Sequence, residues 1–277
     1  MNLPTARALF IDVEAIDRAG KTTHLSSLAA RIGANGWQVV ETEYPDRRAP
    51  LTGMLIDAFL RERMDLVDRG AMRAQGRPSL VKDLERAFGG TPAATDLTSD
   101  DRWRTFEADQ VEADYVMRHA LLGQELFCLN RRECAGRLEY LVATADVVLT
   151  SRYQLSGRAY GEAAGVPRAQ MAALVDSLEP GLRRPDLTLI IDVDAEAVAN
   201  RPRAGGLDSF ERDLELQRRV AAIYRDFAAD DATIVLIDGS GSLDVIGQRV
   251  QDVVAHAYPQ ILRPKIAAPQ NSRGGGQ

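Results

Sequence analysis

One ten-residue stretch constrains this chain more than any other. Residues 8–13, Ala-Leu-Phe-Ile-Asp-Val, form an apolar run suited to a buried strand, and residues 22–32 repeat apolar positions at helical spacing. Between them lies Glu-Ala-Ile-Asp-Arg-Ala-Gly-Lys-Thr-Thr, residues 14–23. A loop that leaves a buried strand and opens a helix aims successive backbone N–H groups outward, where the positive end of the helix dipole adds to them. Such a loop binds phosphate. In that reading Asp17, Arg18, Ala19, Gly20, Lys21, Thr22 and Thr23 surround a nucleoside triphosphate, with Lys21 bridging the β- and γ-phosphates and the Thr22 hydroxyl ligating Mg²⁺. The strict pattern places glycine where Ala15 stands, a position at which backbone often bends sharply.

The rest of the chain fits a sheet built around that first strand. Residues 38–42, 146–150, 187–193 and 233–237 are further short β-branched runs, and residues 111–142, 168–178, 210–227 and 243–257 have helical periodicity. Strands alternating with helices imply parallel pairing through right-handed crossovers, hence an α/β three-layer sandwich with a five-stranded parallel sheet. Ligands in such sheets sit beyond the carboxyl ends of the strands. Residues 1–258 read as a single domain carrying a polar insertion over 64–104, and residues 259–277, with Pro, Ser and a Gly-Gly-Gly run, read as a disordered tail.

Composition excludes several classes. A formal net charge of −6 argues against a binder of polymeric nucleic acid, and no apolar run approaches the roughly 20 residues of a membrane span. The two cysteines, Cys128 and Cys134, fall within the helical pattern at 111–142, which argues against a disulfide framework and for a reducing, cytoplasmic setting.

Four strings in order resemble the thymidylate kinase family, a group of P-loop nucleoside monophosphate kinases. The loop itself is similar to the family's Glu-Gly-x-Asp-x-x-Gly-Lys-Ser/Thr-Thr. Tyr44-Pro45-Asp46-Arg47 resembles Phe-Pro-x-Arg, Leu126-Phe127-Cys128-Leu129-Asn130-Arg131 resembles Leu-Phe-x-Ala-Asn-Arg, and Ser151-Arg152-Tyr153-Gln154-Leu155-Ser156-Gly157-Arg158-Ala159-Tyr160 resembles Asp-Arg-Tyr/His-x-x-Ser-x-x-Ala-Tyr/Phe. The resemblance, which covers roughly residues 7–257 outside the insertion, implies a P-loop NTPase fold and transfer of the ATP γ-phosphoryl group to a pyrimidine deoxynucleoside monophosphate, thymidylate first. It implies that Arg47 and Arg152 grip the acceptor phosphate and that Phe127 stacks on the base while Arg131 bonds it. It further implies that Ser156 and Gly157 form a turn by the nucleotide and that Tyr160 packs on the deoxyribose side. Asp17 then contacts the sugar hydroxyl or the metal shell, a lid lies near 200–210 with Arg201 and Arg203 beside the ATP phosphates, and the assembly is a homodimer through the long helices.

Three positions depart from that pattern: Ala15, Ser151 in place of an acidic residue at a strand end, and Ser209 in place of a lid arginine. Glu14 or Asp17 stand near enough in sequence to supply the missing carboxylate to Mg²⁺, and Arg18 to supply the missing cation. Two alternatives stay open from the residues alone: a kinase for another pyrimidine deoxynucleotide, and a degenerate nucleotide-binding regulator.

Overall fold

The computed structural model describes residues 7–60, 108–199 and 213–265. The insertion at 64–104 and the lid region, with Arg201, Arg203 and Ser209, lie outside the described residues. In chain order the elements are β1 (Leu9–Glu14), α1 (Lys21–Gly33), β2 (Val39–Glu43), α2 (Gly53–Leu60), α3 (Ala108–Glu133), α4 (Ala135–Thr144), β3 (Val147–Ser151), α5 (Gln154–Ala163), α6 (Arg168–Leu178), β4 (Leu187–Asp192), α7 (Ala195–Ala199), α8 (Leu214–Asp230), β5 (Ile234–Asp238) and α9 (Leu243–Ala257). The five strands pair parallel in the order β2-β3-β1-β4-β5.

The pattern of exposure follows from that order. A central parallel strand is covered on both faces and so reads as a continuous apolar run. β1 and β3 are buried along their whole length, whereas the edge strands β2 and β5 are partly exposed. Alternate residues of β1 serve different cores. Leu9, Ile11 and Val13 join a large cluster with Leu25, Leu28 and Ile32 of α1 and Ile246, Val250 and Val254 of α9. Phe10 turns the other way and packs with Val148, Tyr153 and, from α4, Leu138 and Val142. Helices therefore cover both faces, as the alternating pattern predicts.

Two expectations need correction. The helix expected over 111–142 is interrupted at Cys134, whose φ of −86° and ψ of 1° leave the helical region, so Cys134 caps α4 instead of lying within one long helix. The tail is ordered at its start: Pro259–Leu262 form a 3₁₀ turn, and Ile261 is fully buried against the main core. Lys265 then closes the segment. Its N–H donates to the Asn35 carbonyl at 2.8 Å, and its ammonium donates to Asp146 at 2.6 Å while lying 5.1 Å from the centre of the Trp37 ring. Polar composition suggested disorder here; a single apolar anchor and a cation between two partners outweigh it.

Ile261→Ala is accordingly expected to lower stability by about 2–5 kcal/mol, the range for truncating a buried aliphatic side chain, as read by denaturant unfolding. A loss below about 0.5 kcal/mol would mean that the segment is not docked.

Candidate active site

The carboxyl ends of β1, β2 and β3 bring Glu14, Glu43 and Ser151 to one edge of the sheet, with Glu43 and Ser151 in direct register. The loop after β1 reaches α1 through two left-handed residues, Arg18 at φ 63° and Gly20 at φ 90°. Gly20 carries its conformation without steric cost. Ala15 is not among the residues with positive φ, so the alanine in place of glycine occupies ordinary backbone and leaves the loop intact. Lys21 begins α1 and folds back over the loop, donating to the carbonyls of Ala15 at 3.0 Å and Ile16 at 2.9 Å. Burial, and then the nearby positive charge of Arg152, lower its pKa to about 7. Thr22 and Thr23 are exposed on the floor of a cavity of about 660 Å³, which Gly20, Lys21, Glu43, Arg47, Ser151 and Arg152 also line. Leu243, at the start of α9 and half-exposed, adds an apolar wall to it. Arg18 lines the same cavity and donates to the Ala199 carbonyl at 2.9 Å.

Glu14 does not face this cavity as a metal ligand. It is fully buried, and its two oxygens accept four hydrogen bonds: from the Tyr153 and Ser156 N–H groups at 3.0 Å each, from the Ser156 hydroxyl at 2.5 Å and from the Tyr224 hydroxyl at 2.9 Å. A carboxylate so satisfied is a fixture of the fold. Ser156 and Gly157, expected to form a turn, both lie in α5. On the strand beside Glu14, Asp12 is also buried, and burial together with the charge of Glu14 pushes its carboxyl well above the usual range.

A second cavity, about 230 Å³, opens against the first. Phe127 and Arg131 from α3 line it together with Ser156, Gly157 and Tyr160 from α5. The expected acceptor residues thus surround a single space. Arg131 is almost wholly buried and held in place: its Nε donates to Glu179 at 2.5 Å and one terminal nitrogen to the Tyr153 carbonyl at 3.3 Å. Phe127 meets Phe59 edge-to-face, ring centres 6.1 Å apart.

Asp17, Tyr44, Pro45, Arg47 and Arg152 line both cavities and form the boundary between them. Arg152 sits at the end of β3 with φ 63° and is ion-paired with Asp17, its guanidinium 5.2 Å from the centre of the Tyr160 ring. Asp17 also accepts from the Tyr160 hydroxyl at 2.7 Å and the Gln217 amide at 3.1 Å. Burial alone would raise its carboxyl pKa, but Arg152, Lys21 and those hydrogen bonds hold it below the ordinary value. Asp17 is therefore committed to aiming Arg152. Arg47 pairs with Asp57 at 3.2 Å and keeps more than half of its side chain exposed.

Several contributors carry no signal in a single string. The loop bearing Arg47 is clamped by Asn130, which accepts from the Asp46 N–H at 2.7 Å and donates to the Asp46 carbonyl at 3.0 Å. Glu133 takes the Leu51 and Thr52 N–H groups at 2.8 and 3.0 Å. Asn130 stands within a motif string and was open to notice. Glu133, Glu179, Gln217, Glu43 and Leu243 become neighbours of the site only through folding.

Comparisons with known proteins agree with this geometry. A family model described as thymidylate kinase matches residues 109–250. The thymidylate kinase of Dictyostelium discoideum is 24% identical over 264 residues, covering 94% of this chain and 91% of its own. That of Paraburkholderia xenovorans is 27% identical, covering 90% and 98%, and that of Ruegeria pomeroyi 28% identical, covering 89% and 94%. Among solved structures, thymidylate kinase from Candida albicans superposes with a TM-score of 0.61 at 20% identity, over 95% of this chain and 96% of its own, which shows a shared fold.

Two measurements test the electrostatics. Triphosphate favours the ammonium form, so ATP should draw a proton onto a Lys21 whose resting pKa is about 7. Calorimetry in buffers of different ionisation enthalpy should then show uptake approaching one proton at about pH 8.5 and little at about pH 6, with none in Lys21→Met. Arg131→Ala strands the Glu179 carboxylate and is expected to cost about 3–5 kcal/mol in thermal unfolding, with much of that recovered in Arg131→Ala/Glu179→Ala.

Proposed function

Because the chain belongs to the thymidylate kinase family, we infer that it transfers the γ-phosphoryl group of ATP to thymidine 5′-monophosphate, giving the diphosphate. The observation that carries this reading is the shared boundary of the two cavities. A phosphate-binding loop opens into one, a pocket of base size forms the other, and Arg47 and Arg152 stand where the two meet.

The acceptor oxygen is already anionic, so the reaction needs no general base; positioning and charge neutralisation supply the rate. ATP lies along the loop with its β- and γ-phosphates on the backbone amides of α1, and Lys21 exchanges its two loop carbonyls for phosphate oxygens. Arg152, aimed by Asp17, and Arg47 hold the acceptor phosphate, since a planar guanidinium can bond two of its oxygens at once. Arg18 adds positive charge from the loop side. Phe127 and Tyr160 enclose the nucleoside while Arg131 donates to the base.

Mg²⁺ fits the residues present. Thr22 offers a hydroxyl on the cavity floor, and Glu43, in register with Ser151, offers a carboxylate at the strand edge where position 151 has only a hydroxyl. Bound with ATP, the ion would neutralise charge on the β- and γ-phosphates. A homodimer through the long helices, which the motif resemblance implies, and a cytoplasmic setting, which the sparse cysteines favour, belong to the same proposal.

A panel of nucleoside monophosphates with ATP and Mg²⁺, read as ADP release, tests the assignment. Thymidylate is expected to be the best acceptor, with Lys21→Ala lowering kcat by about 10²–10³-fold or more and Arg152→Ala raising the acceptor KM while lowering kcat. No ADP release with any pyrimidine monophosphate would overturn the reading in favour of a nucleotide-binding regulator.

A further inference from the structure

We propose that Gln124 reads the N3–H of the acceptor's pyrimidine ring and thereby selects thymine and uracil over cytosine. This rests on the kinase reading and names the residue that gives it base specificity. Gln124 precedes Phe127 by three residues and Arg131 by seven, so the three lie along one stripe of α3, and all line the smaller cavity. Gln124 is 1% exposed, yet its side-chain carbonyl Oε1 has no hydrogen-bond partner. A buried acceptor left unmet is costly, and one that borders a cavity calls for a ligand that donates.

The neighbouring Arg131 shows which donor. A guanidinium carries only donors, and Glu179, the Tyr153 carbonyl and the Cys128 sulfur fix its plane. Gly157 of α5 packs against both groups, and its missing side chain leaves room for them. A Cβ there would lie 3.0 Å from an Arg131 terminal nitrogen and 3.3 Å from Gln124 Oε1. The two tips therefore converge on one spot, and the N–H groups of Arg131 favour the carbonyl end of the Gln124 amide over its NH₂ end. The cavity lining thus sets a fixed donor, Arg131, beside an unpartnered acceptor, Gln124 Oε1. Thymine and uracil present the complement, O4 as acceptor beside N3–H as donor. Cytosine presents the reverse, an amino donor beside an unprotonated N3, and meets donor with donor and acceptor with acceptor.

The test compares wild type with Gln124→Leu and Gln124→Ala on dTMP, dUMP, dCMP and N3-methyl-dTMP, with thermal melts as the control for folding. Leucine replaces an amide whose carbonyl is unmet with a side chain of similar size, so the melting temperature should hold. Wild type should prefer dTMP and dUMP to dCMP, and Gln124→Leu should lower kcat/KM for dTMP by about 10- to 100-fold, mostly through KM, while narrowing the preference over dCMP. The N3-methyl substrate should be poor for wild type, and its disadvantage against dTMP should shrink in Gln124→Ala. Should wild type phosphorylate dTMP while the dTMP to dCMP ratio and the N3-methyl penalty stay unchanged in both variants, the inference fails and the kinase reading stands. A wild type inactive on every pyrimidine overturns both.

Discussion

The geometry of this molecule depends on one buried carboxylate. Glu14 ends the central strand, and its side chain accepts two backbone N–H groups, those of Tyr153 at the cap of α5 and Ser156 in its first turn, together with two hydroxyls. It acts as a helix cap supplied from another element, satisfying orphan donors and placing negative charge at the positive end of α5. The strand that launches the phosphate loop is thereby tied to the helix that carries Gly157 and Tyr160. Distance between the two cavities is set by that tie, and phosphoryl transfer tolerates little error in it.

On this frame the site concentrates positive charge in a chain whose net charge is −6. Lys21, Arg18, Arg47 and Arg152 converge on one edge of the sheet, and the protein manages their repulsion in different ways. Asp17 neutralises and orients Arg152, Asp57 pairs with Arg47, and burial weakens the hold of Lys21 on its proton, lowering its pKa to about 7. Two phosphorylated nucleotides would relieve the remaining strain, so binding energy comes in part from charges assembled in advance.

The smaller cavity follows a different principle. Arg131 would be intolerable in a core without Glu179, and paired with it becomes an immobile donor. Immobility makes hydrogen bonding selective, because a group that cannot turn away penalises the wrong partner. The acceptor carbonyl of Gln124 beside it and the missing side chain at Gly157 turn that donor into a two-point pattern.

Much of this was legible in the residues. Continuous apolar runs located the five strands to within a residue or two, and the phosphate loop, Arg47, Phe127, Arg131, Arg152 and Tyr160 all sit in short contiguous strings of sequence. The errors arose where distant partners decide the outcome: Glu14 stands near the loop in sequence but turns to α5, and residues 259–265 read as part of a disordered tail until Ile261 finds the core. Local sequence determined the parallel α/β layering and the loop, because periodicity and turn chemistry act over a few neighbouring residues. Only the tertiary structure decided which carboxylates are consumed by the fold, that Glu43 lies in register with Ser151, and that a residue with an unmet side-chain carbonyl lines the smaller cavity, because those facts depend on contacts between residues that sequence order holds far apart.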